Sequence, residues 1–458
     1  MDSTSFFEGL RGKRVAVCGI GRNNTPVVKQ FLQYGAEVTA CDRRTREQLG
    51  EEAAAELEAL GATLCLGETY LDGLSDMDMI LRTPGMKPYL KPFEEARAKG
   101  ITVTSEMELF FSLCPAPIYA VTGSDGKTTT TTIIAGLLRA AGKTVHLGGN
   151  IGRPLLPDIA LVKPTDAAVV EISSFQLTRM TQSPHVAVVT NVAPNHLDWH
   201  TDMQEYIDAK RNLVTFQTAA DRAVLNADNE LTAAFASAVK GECLRFSRRA
   251  PQEGAWLRED GMLCMTANGQ TTPIVAAKDI RLPGVHNVEN FLAAFAAVWG
   301  EVPVDVMAAF AKEFGGVAHR CELVRERRGV KWYNDSIGTS PSRTIAGLKA
   351  FDRKVVLIAG GYDKHIPYDP LGPVAHDTVK LAILMGATAD AIETAIRAHG
   401  EMPIARVNSM EEAVDTAARL SVSGDIVFMS PASASFDLYK NFEERGEHFR
   451  RCVTELDD

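Results

Sequence analysis

The sequence predicts an α/β protein of three domains: a Rossmann-like N-terminal domain, a central P-loop ATPase-type α/β domain with a small β-meander, and a Rossmann-like C-terminal domain. Three observations carry that prediction. Short apolar runs alternate with helical stretches along the chain, the pattern of parallel sheets covered by helices. Two of those runs end in glycine turns. A length of 458 residues, at roughly 150 per domain, suits three domains. The expected boundaries are 1–105, 106–316 and 317–458.

The first block opens with Arg14-Val15-Ala16-Val17-Cys18, which runs into Gly19-Ile20-Gly21. A helical stretch over 25–34, a strand over 37–41 ending at Asp42, a strand over 77–81 ending at Thr83-Pro84-Gly85 and a last strand over 101–105 complete it. The second block has strands at 118–121, 167–170 and 186–189. Its residues 260–275 alternate and turn at Asn268-Gly269, a hairpin signal. The third block has strands at 354–359, 379–385 and 425–429.

A formal charge of -10 argues against broad nucleic-acid binding. Eight scattered cysteines without a C-x-x-C pair fit reduced thiols in a cytosol. No signal peptide and no apolar run of membrane-spanning length is visible. The expectation is a cytoplasmic protein, without membrane insertion and monomeric.

The strongest chemical signal is Thr122-Gly123-Ser124-Asp125-Gly126-Lys127-Thr128, followed by a threonine run from Thr129. A strand, a glycine turn and Lys-Thr opening a helix hold phosphates: backbone N–H groups point at the oxygens, lysine adds charge and the hydroxyl reaches Mg²⁺. Val121 stands where the usual G-x-x-x-x-G-K-[ST] pattern has its first glycine, so the loop is the shorter G-x-x-G-K-T. Glu171 ends an apolar strand, where a carboxylate either supports a metal beside the phosphates or faces solvent. His196, in Asn191-Val192-Ala193-Pro194-Asn195-His196-Leu197-Asp198, either ligates a metal or caps its loop. Lys210 falls with Ile207, Leu213 and Val214 on the apolar stripe of a helix over 203–217. It is either a snorkelling lysine or one turned into the site. A desolvated lysine loses its proton more readily, and the neutral amine can take up CO₂ to become a carbamate, an anionic metal ligand.

These residues resemble the Mur ligases, which extend the peptide of peptidoglycan precursors. The resemblance covers the whole chain: the short phosphate loop, Glu171-Ile172-Ser173-Ser174-Phe175-Gln176-Leu177, residues 191–198 with Lys210, and Leu282-Pro283-Gly284-Val285-His286-Asn287. It continues through His319-Arg320, Asn334-Asp335-Ser336 and Gly360-Gly361 to Ser430-Pro431-Ala432-Ser433-Ala434-Ser435-Phe436-Asp437. The stretch at Glu171 and this last segment, running on to Phe442, look like the D-glutamate-adding branch.

The resemblance implies an ATP-dependent ligase that joins D-glutamate to UDP-N-acetylmuramoyl-L-alanine through an acyl phosphate, releasing ADP and phosphate. It implies catalytic roles for Lys127, Glu171, His196 and Lys210. Thr122, Gly123, Ser124, Asp125, Gly126, Lys127, Thr128 and Thr129 would bind the ATP phosphates, and Asn287, Asn290, Arg320 and Asp335 the rest of the nucleotide. Two Mg²⁺ ions would be held by Thr128, Glu171, His196 and carbamylated Lys210. The UDP-sugar would meet Gly21, Arg22, Asn23, Asp42, Arg43, Arg44, Thr83, Pro84 and Gly85, with Asn150, Ser173 and His196 on the muramoyl side. Thr339, Lys364, Ser435 and Phe442 would form the D-glutamate pocket. Two departures stand out. Ile337 follows Asp335-Ser336 where the family often has lysine, leaving Lys364 or Arg343 to compensate. The turn at Gly19-Ile20-Gly21 lacks the third glycine of G-x-G-x-x-G.

Other readings explain less. A nicotinamide-dependent dehydrogenase would rest on that incomplete glycine turn alone. A GTPase-like switch lacks an N-K-x-D guanine signature. A catalytically silent binder of UDP-sugars would not need the set Lys127, Glu171, His196 and Lys210. A folylpolyglutamate-type or other sister ligase would share loop and metals and differ in its acceptor.

Overall fold

The computed structural model describes all residues except Met1, Arg22, Asp198, Pro283, His365 and Asp458. The chain forms two compact units: one of Met1–Asp279 with His286–Ala311, the other of Ile280–Val285 with Lys312–Asp458. Among the described residues, no helix is long and apolar enough to cross a membrane.

The first unit contains two sheets. Strands β1 (Arg14–Cys18), β2 (Glu37–Asp42), β3 (Thr63–Leu66), β4 (Met79–Arg82) and β5 (Thr102–Thr104) form a wholly parallel sheet in the order β3-β2-β1-β4-β5. The strand order reverses at β1, so the crevice beyond its C-terminal end is the position where such sheets bind ligands. Helix α1 (Asn24–Gln33) follows the glycine turn and buries Val27, Val28 and Phe31.

Strands β6 (Ile118–Thr122), β7 (Val145–Gly149), β8 (Ala167–Glu171), β9 (Val186–Val189), β10 (Arg222–Asn226), β11 (Glu242–Ser247), β12 (Gly254–Leu257), β13 (Met262–Ala267) and β14 (Gln270–Ala276) make the second sheet. Its order is β14-β13-β12-β11-β10-β9-β6-β8-β7. Strands β7 to β12 are parallel, and β12 to β14 form the expected meander. Asn268 and Gly269 supply the two positive φ angles of its turn, as a tight hairpin requires. Helices α2 (Lys127–Ala140), α3 (Ser174–Leu177), α4 (Met203–Thr215), α5 (Val285–Val298) and α6 (Val304–Glu313) complete this region. Strand β6 is buried at all five positions, which is why it reads as an uninterrupted apolar run ending in threonine.

The second unit is built on β15 (Glu322–Arg327), β16 (Val330–Asn334), β17 (Val355–Gly360), β18 (Val379–Met385), β19 (Ile404–Arg406) and β20 (Ile426–Met429), ordered β15-β16-β20-β17-β18-β19. Among the described strands of this sheet, the pair β15–β16 alone is antiparallel. Leu357, Leu384 and Phe428 fill one face of the sheet, and Trp332, Val356, Ile383 and Phe449 the other. Helices α7 (Met410–Leu420) and α8 (Phe442–Glu455) lie on that second face.

One glycine fixes the packing of the helix that carries the phosphate loop. A Cβ at Gly136 of α2 would stand 2.3 Å from the Phe310 ring of α6. Gly136→Val should therefore cost about 1–3 kcal/mol by overpacking. Urea unfolding measures this, and an unchanged midpoint would show that α2 and α6 do not meet so closely.

Candidate active site

Strand β6 delivers the phosphate loop between its neighbours β8 and β9, and each neighbour contributes to it. Gly123 and Gly126 have φ of 153° and 78°, values that L side chains rarely adopt. Space forbids a side chain as well: a Cβ would lie 1.9 Å from Thr190 Oγ1 at Gly123 and 2.5 Å from Asn290 Oδ1 at Gly126. The end of β9 clamps the loop. Ser124 N donates to Asn191 O (2.9 Å), Asp125 N to Asn191 Oδ1 (3.0 Å), and Thr190 Oγ1 to Asp125 O (2.5 Å). Ser124 Oγ donates to Ala193 O (2.8 Å) and meets Tyr206 Oη at 2.8 Å. The loop is thereby fixed, with the first turn of α2 as the donor end of a helix.

Two lysines converge on one carbonyl. Lys127 Nζ donates to Gly123 O and Ser124 O, both at 2.9 Å, and Lys210 Nζ donates to the same Gly123 O at 2.8 Å. Lys210 is 1% exposed and lies over the Tyr206 ring, 4.6 Å from its centroid. Of the two readings of this lysine, the structure selects the inward one. Burial and then the charge of Lys127 hold its amine well below the usual lysine range, while Asp125 and Glu171 act in the opposite direction.

Glu171 is buried at the end of β8, not turned to solvent. Its Oε2 accepts from Thr128 Oγ1 at 2.6 Å and its Oε1 from Asn150 Nδ2 at 2.7 Å. A carboxylate beside a hydroxyl on the phosphate loop is the hard-oxygen donor set that Mg²⁺ takes, and the residues present fit that ion. Ser173 N-caps α3 in a reciprocal capping box with Gln176. His196, exposed and with φ of 55°, packs its ring 4.9 Å from that of Phe175 in α3. Asp198, in the same segment, lies outside the described residues. Asn287 and Asn290 are buried on α5, where Asn290 Oδ1 accepts from Thr130 Oγ1 (3.2 Å) and Asn290 Nδ2 donates to Asn287 Oδ1 (3.0 Å). Their amides thus brace α2 from behind the loop. Thr129 lies in the first turn of α2, half-buried.

At the β1 crevice, Gly19 has φ of 93° and a Cβ there would meet Thr83 Cγ2 at 2.5 Å. Asp42 accepts from Ile20 N (2.7 Å) and Arg44 N (3.0 Å), and Arg44 Nε and Nη2 each donate to it at 2.9 Å. Burial raises the Asp42 carboxyl, but Arg44 and the two amides outweigh it and hold it below the usual range. Asp42 and Arg44 therefore shape the glycine turn, leaving exposed Arg43 as the more available charge. Arg22 lies outside the described residues, and Asn23 precedes α1 without a side-chain capping bond. Past Thr83 and Pro84, Gly85 O accepts from Trp199 Nε1 at 3.0 Å, which ties this crevice to the His196 segment.

In the second unit, Lys364 Nζ sits 3.4 Å from both Thr339 O and Thr339 Oγ1. Arg343 Nη1 donates to Ile337 O at 3.2 Å. Burial, then Arg343 and Arg445, hold the Lys364 amine below its usual range. Cationic groups therefore gather around Ile337 and Thr339. Ser435 is buried on the loop after β20, and Phe442 O accepts from Ser336 Oγ at 2.7 Å while its ring meets His319. Asp335 accepts from Ser430 Oγ (2.7 Å) and Cys321 N (3.2 Å), so both carboxylate oxygens have protein partners. Arg320, one residue before Cys321, is half-buried.

Comparison with known proteins decides the family. The model of the Mur ligase middle domain matches residues 121–298, that of the Mur ligase glutamate ligase domain residues 319–433, and that of the Mur ligase MurD-like N-terminal domain residues 13–105. The chain belongs to the Mur ligase family. It is 50% identical to a UDP-N-acetylmuramoylalanine–D-glutamate ligase of Acetivibrio thermocellus, over 99% of this chain and 98% of that protein. A ligase of the same name from Symbiobacterium thermophilum is 48% identical over 97% of this chain and 98% of its own length. In fold, the Mur ligase resembles crystalline UDP-N-acetylmuramate-alanine ligase MurC of Thermotoga maritima, with a TM-score of 0.57, 17% identity and coverage of 96% and 99%. It also resembles a UDP-N-acetylmuramoyl-L-alanyl-D-glutamate–2,6-diaminopimelate ligase, at a TM-score of 0.57, 20% identity and coverage of 82% and 92%. The three-domain Mur ligase architecture is that of this chain.

Several residues of this Mur ligase escaped the motifs. Tyr206, one turn before Lys210 on α4, supports both the lysine and Ser124; its place on the same buried stripe was the available signal. His200 has a fully buried ring whose Nε2 meets Ser174 Oγ at 3.0 Å. Arg445, three residues into α8, is 3% exposed and donates to Ser336 Oγ, Ser336 O, Ala434 O and Ser433 O. Burial lowers its guanidinium to about 10. It joins the Asn334-Asp335-Ser336 turn to the loop after β20, and a lone arginine in a charged helix gives no sequence sign of that.

Burial, opposed by Ser430 and Cys321, raises the Asp335 carboxyl from 3.8 to about 6. Between those values the folded chain keeps a proton that the unfolded chain has lost. Stability therefore falls as pH rises from about 4 to 6, by roughly 3 kcal/mol. Relative to Asp335→Asn, the wild type should lose about 2–3 kcal/mol across that window in urea unfolding. A difference that stays constant with pH would refute it.

Proposed function

We propose that this Mur ligase joins the amine of D-glutamate to the carboxylate of UDP-N-acetylmuramoyl-L-alanine at the expense of ATP, in cytoplasmic peptidoglycan precursor synthesis. The observation that carries the reading is near-full-length similarity, at 45–50% identity, to proteins of that named activity. The geometry supports it: a phosphate loop and a buried carboxylate beside the loop hydroxyl, at the ends of β6 and β8, sit together with a buried amine from the middle of α4.

A carboxylate is a poor acyl donor because its leaving group would be oxide. Transfer of the γ-phosphoryl group makes an acyl phosphate, which the amine attacks, expelling phosphate and leaving an amide. Lys127 and the α2 N-terminus would take the phosphates, offsetting repulsion between two anions. Thr128 and Glu171 would hold one Mg²⁺, and His196 with carbamylated Lys210 a second; the ions supply charge neutralisation. A neutral Lys210 amine is the form that reacts with CO₂, and its burial favours that form. The β1 crevice, with Arg43 and the turn at Gly21, would hold the UDP moiety, and Asn150 and Ser173 would face the muramoyl side. Arg320, Asp335, Asn287 and Asn290 would serve the nucleotide. Thr339, Lys364, Ser435 and Phe442 would receive D-glutamate, with Lys364 and Arg343 supplying the charge that Ile337 lacks. The domain boundaries proposed for these roles are 1–105, 106–316 and 317–458.

Phosphate release is expected from the purified chain only when ATP, UDP-N-acetylmuramoyl-L-alanine and D-glutamate are all present in a panel of amino acids. Equal release without D-glutamate would sink the acceptor assignment while sparing the ligase class. Lys210→Ala should abolish turnover, at least 100-fold by order of magnitude for a lost charge-stabilising group, and a short carboxylate added to the buffer should restore part of it. Wild-type rates in that variant would defeat the carbamate.

A further inference from the structure

Away from the phosphate loop, helices α7 and α8 of the second unit bring a carboxylate, an imidazole and a thiol together. Glu411 stands in the first turn of α7. His448 and Cys452 stand four residues apart on α8, the spacing that places two side chains on one helical face. One ligand atom from each of the three lies within 4.8 Å of the other two. His448 Nε2 is already 2.9 Å from Glu411 Oε1. In a tetrahedral zinc site, ligand atoms at 2.0–2.3 Å from the metal are roughly 3.3–3.7 Å from one another, so small rotamer changes suffice to close this set.

A second observation concerns the imidazole's other nitrogen. His448 Nδ1 meets Tyr439 Oη at 2.9 Å, and the two rings pack with centroids 5.7 Å apart. Metal-binding histidines characteristically have their second nitrogen held in this way, which fixes the tautomer and the ring's aim. Here the hydroxyl holds Nδ1 while Nε2 meets Glu411.

We propose that Glu411, His448 and Cys452 form a binding site for one borderline-soft divalent cation of the zinc type, with Tyr439 as the positioning residue behind the imidazole. The donor set selects the metal. A thiolate and an imidazole favour zinc over magnesium, which takes oxygen ligands. Charge balances: on binding, Cys452 gives its proton to solvent, and thiolate and carboxylate neutralise the dication. Tyr439 N also donates to Ser435 O at 2.9 Å. A cation here would therefore tie α7 and α8 to the loop that follows β20.

The test uses the full-length, metal-free chain titrated with Co²⁺ in excess Mg²⁺. One equivalent should give tetrahedral d–d bands and a thiolate-to-cobalt charge-transfer band, both displaced by stoichiometric Zn²⁺. Cys452→Ser should lose the charge-transfer band while keeping wild-type turnover in Mg²⁺, and Glu411→Gln and His448→Gln should weaken binding at least tenfold. Tyr439→Phe should weaken it by roughly 10- to 100-fold, and an unchanged affinity there would overturn the positioning role. No charge-transfer band, or one that survives Cys452→Ser, would overturn the site.

Discussion

The carbonyl of Gly123 accepts from two lysines at once, and much of the catalytic region follows from that crowding. Lys127 and Lys210 bring two amines to within 3 Å of a single oxygen. Two like charges so close are disfavoured, most strongly where water is excluded. Lys127 has an edge of the site open to a ligand, being half-buried, whereas Lys210 is enclosed by α4 and the Tyr206 ring. Burial and the charge of Lys127 hold the buried Lys210 amine well below the usual lysine range. A carbamate on Lys210 would reverse the sign and turn repulsion between the pair into attraction.

The loop needs rigid walls for this to work, because a mobile turn would relax the two amines apart. The walls come from the neighbouring strand β9. Thr190 and Asn191 fix Ser124 and Asp125 through backbone and side chain, and Thr190 Oγ1 stands where a Cβ at Gly123 would be. Asn290 holds the same relation to Gly126. The two glycines are thus required both by their φ angles and by the space their partners occupy. Glu171, from β8 on the other side, takes the Thr128 hydroxyl. Placing β6 between β8 and β9 is what lets one short loop collect all of these partners.

How legible this was in the sequence differs by element. The buried strands β6, β8, β9, β17, β18 and β20 read clearly because both of their faces are covered and nearly all of their positions are apolar. Strands β10 and β15 did not. Arg222 opens β10 and pairs with Glu242 of β11, and β15 reads Glu-Leu-Val-Arg-Glu-Arg at a sheet edge. An edge strand such as β15 carries charge that hides it from a hydrophobic pattern, whereas β10, interior to its sheet, has an apolar run of only three residues, Ala223-Val224-Leu225. Among site residues, Lys210 was legible because a lysine on an apolar stripe is locally anomalous. Arg445 was not, since four of its acceptors are backbone and side-chain oxygens from two distant segments. Motifs report residues that meet ligands; they are silent on residues that hold other loops in place.

That division explains the acceptor side. Ile337 brings no charge of its own to the turn after Asp335-Ser336. Lys364, Arg343 and Arg445 instead reach the neighbourhood from three different segments. Arg445 is committed to four oxygen acceptors and acts as a tie, but its charge is still felt by Lys364, whose amine it helps to hold down. A carboxylate arriving beside Lys364 would relieve that like-charge pressure. Binding of an anion is thus favoured by the repulsion already built among the cations. Charge shared among fixed partners tolerates loss of one side chain better than a single contact would.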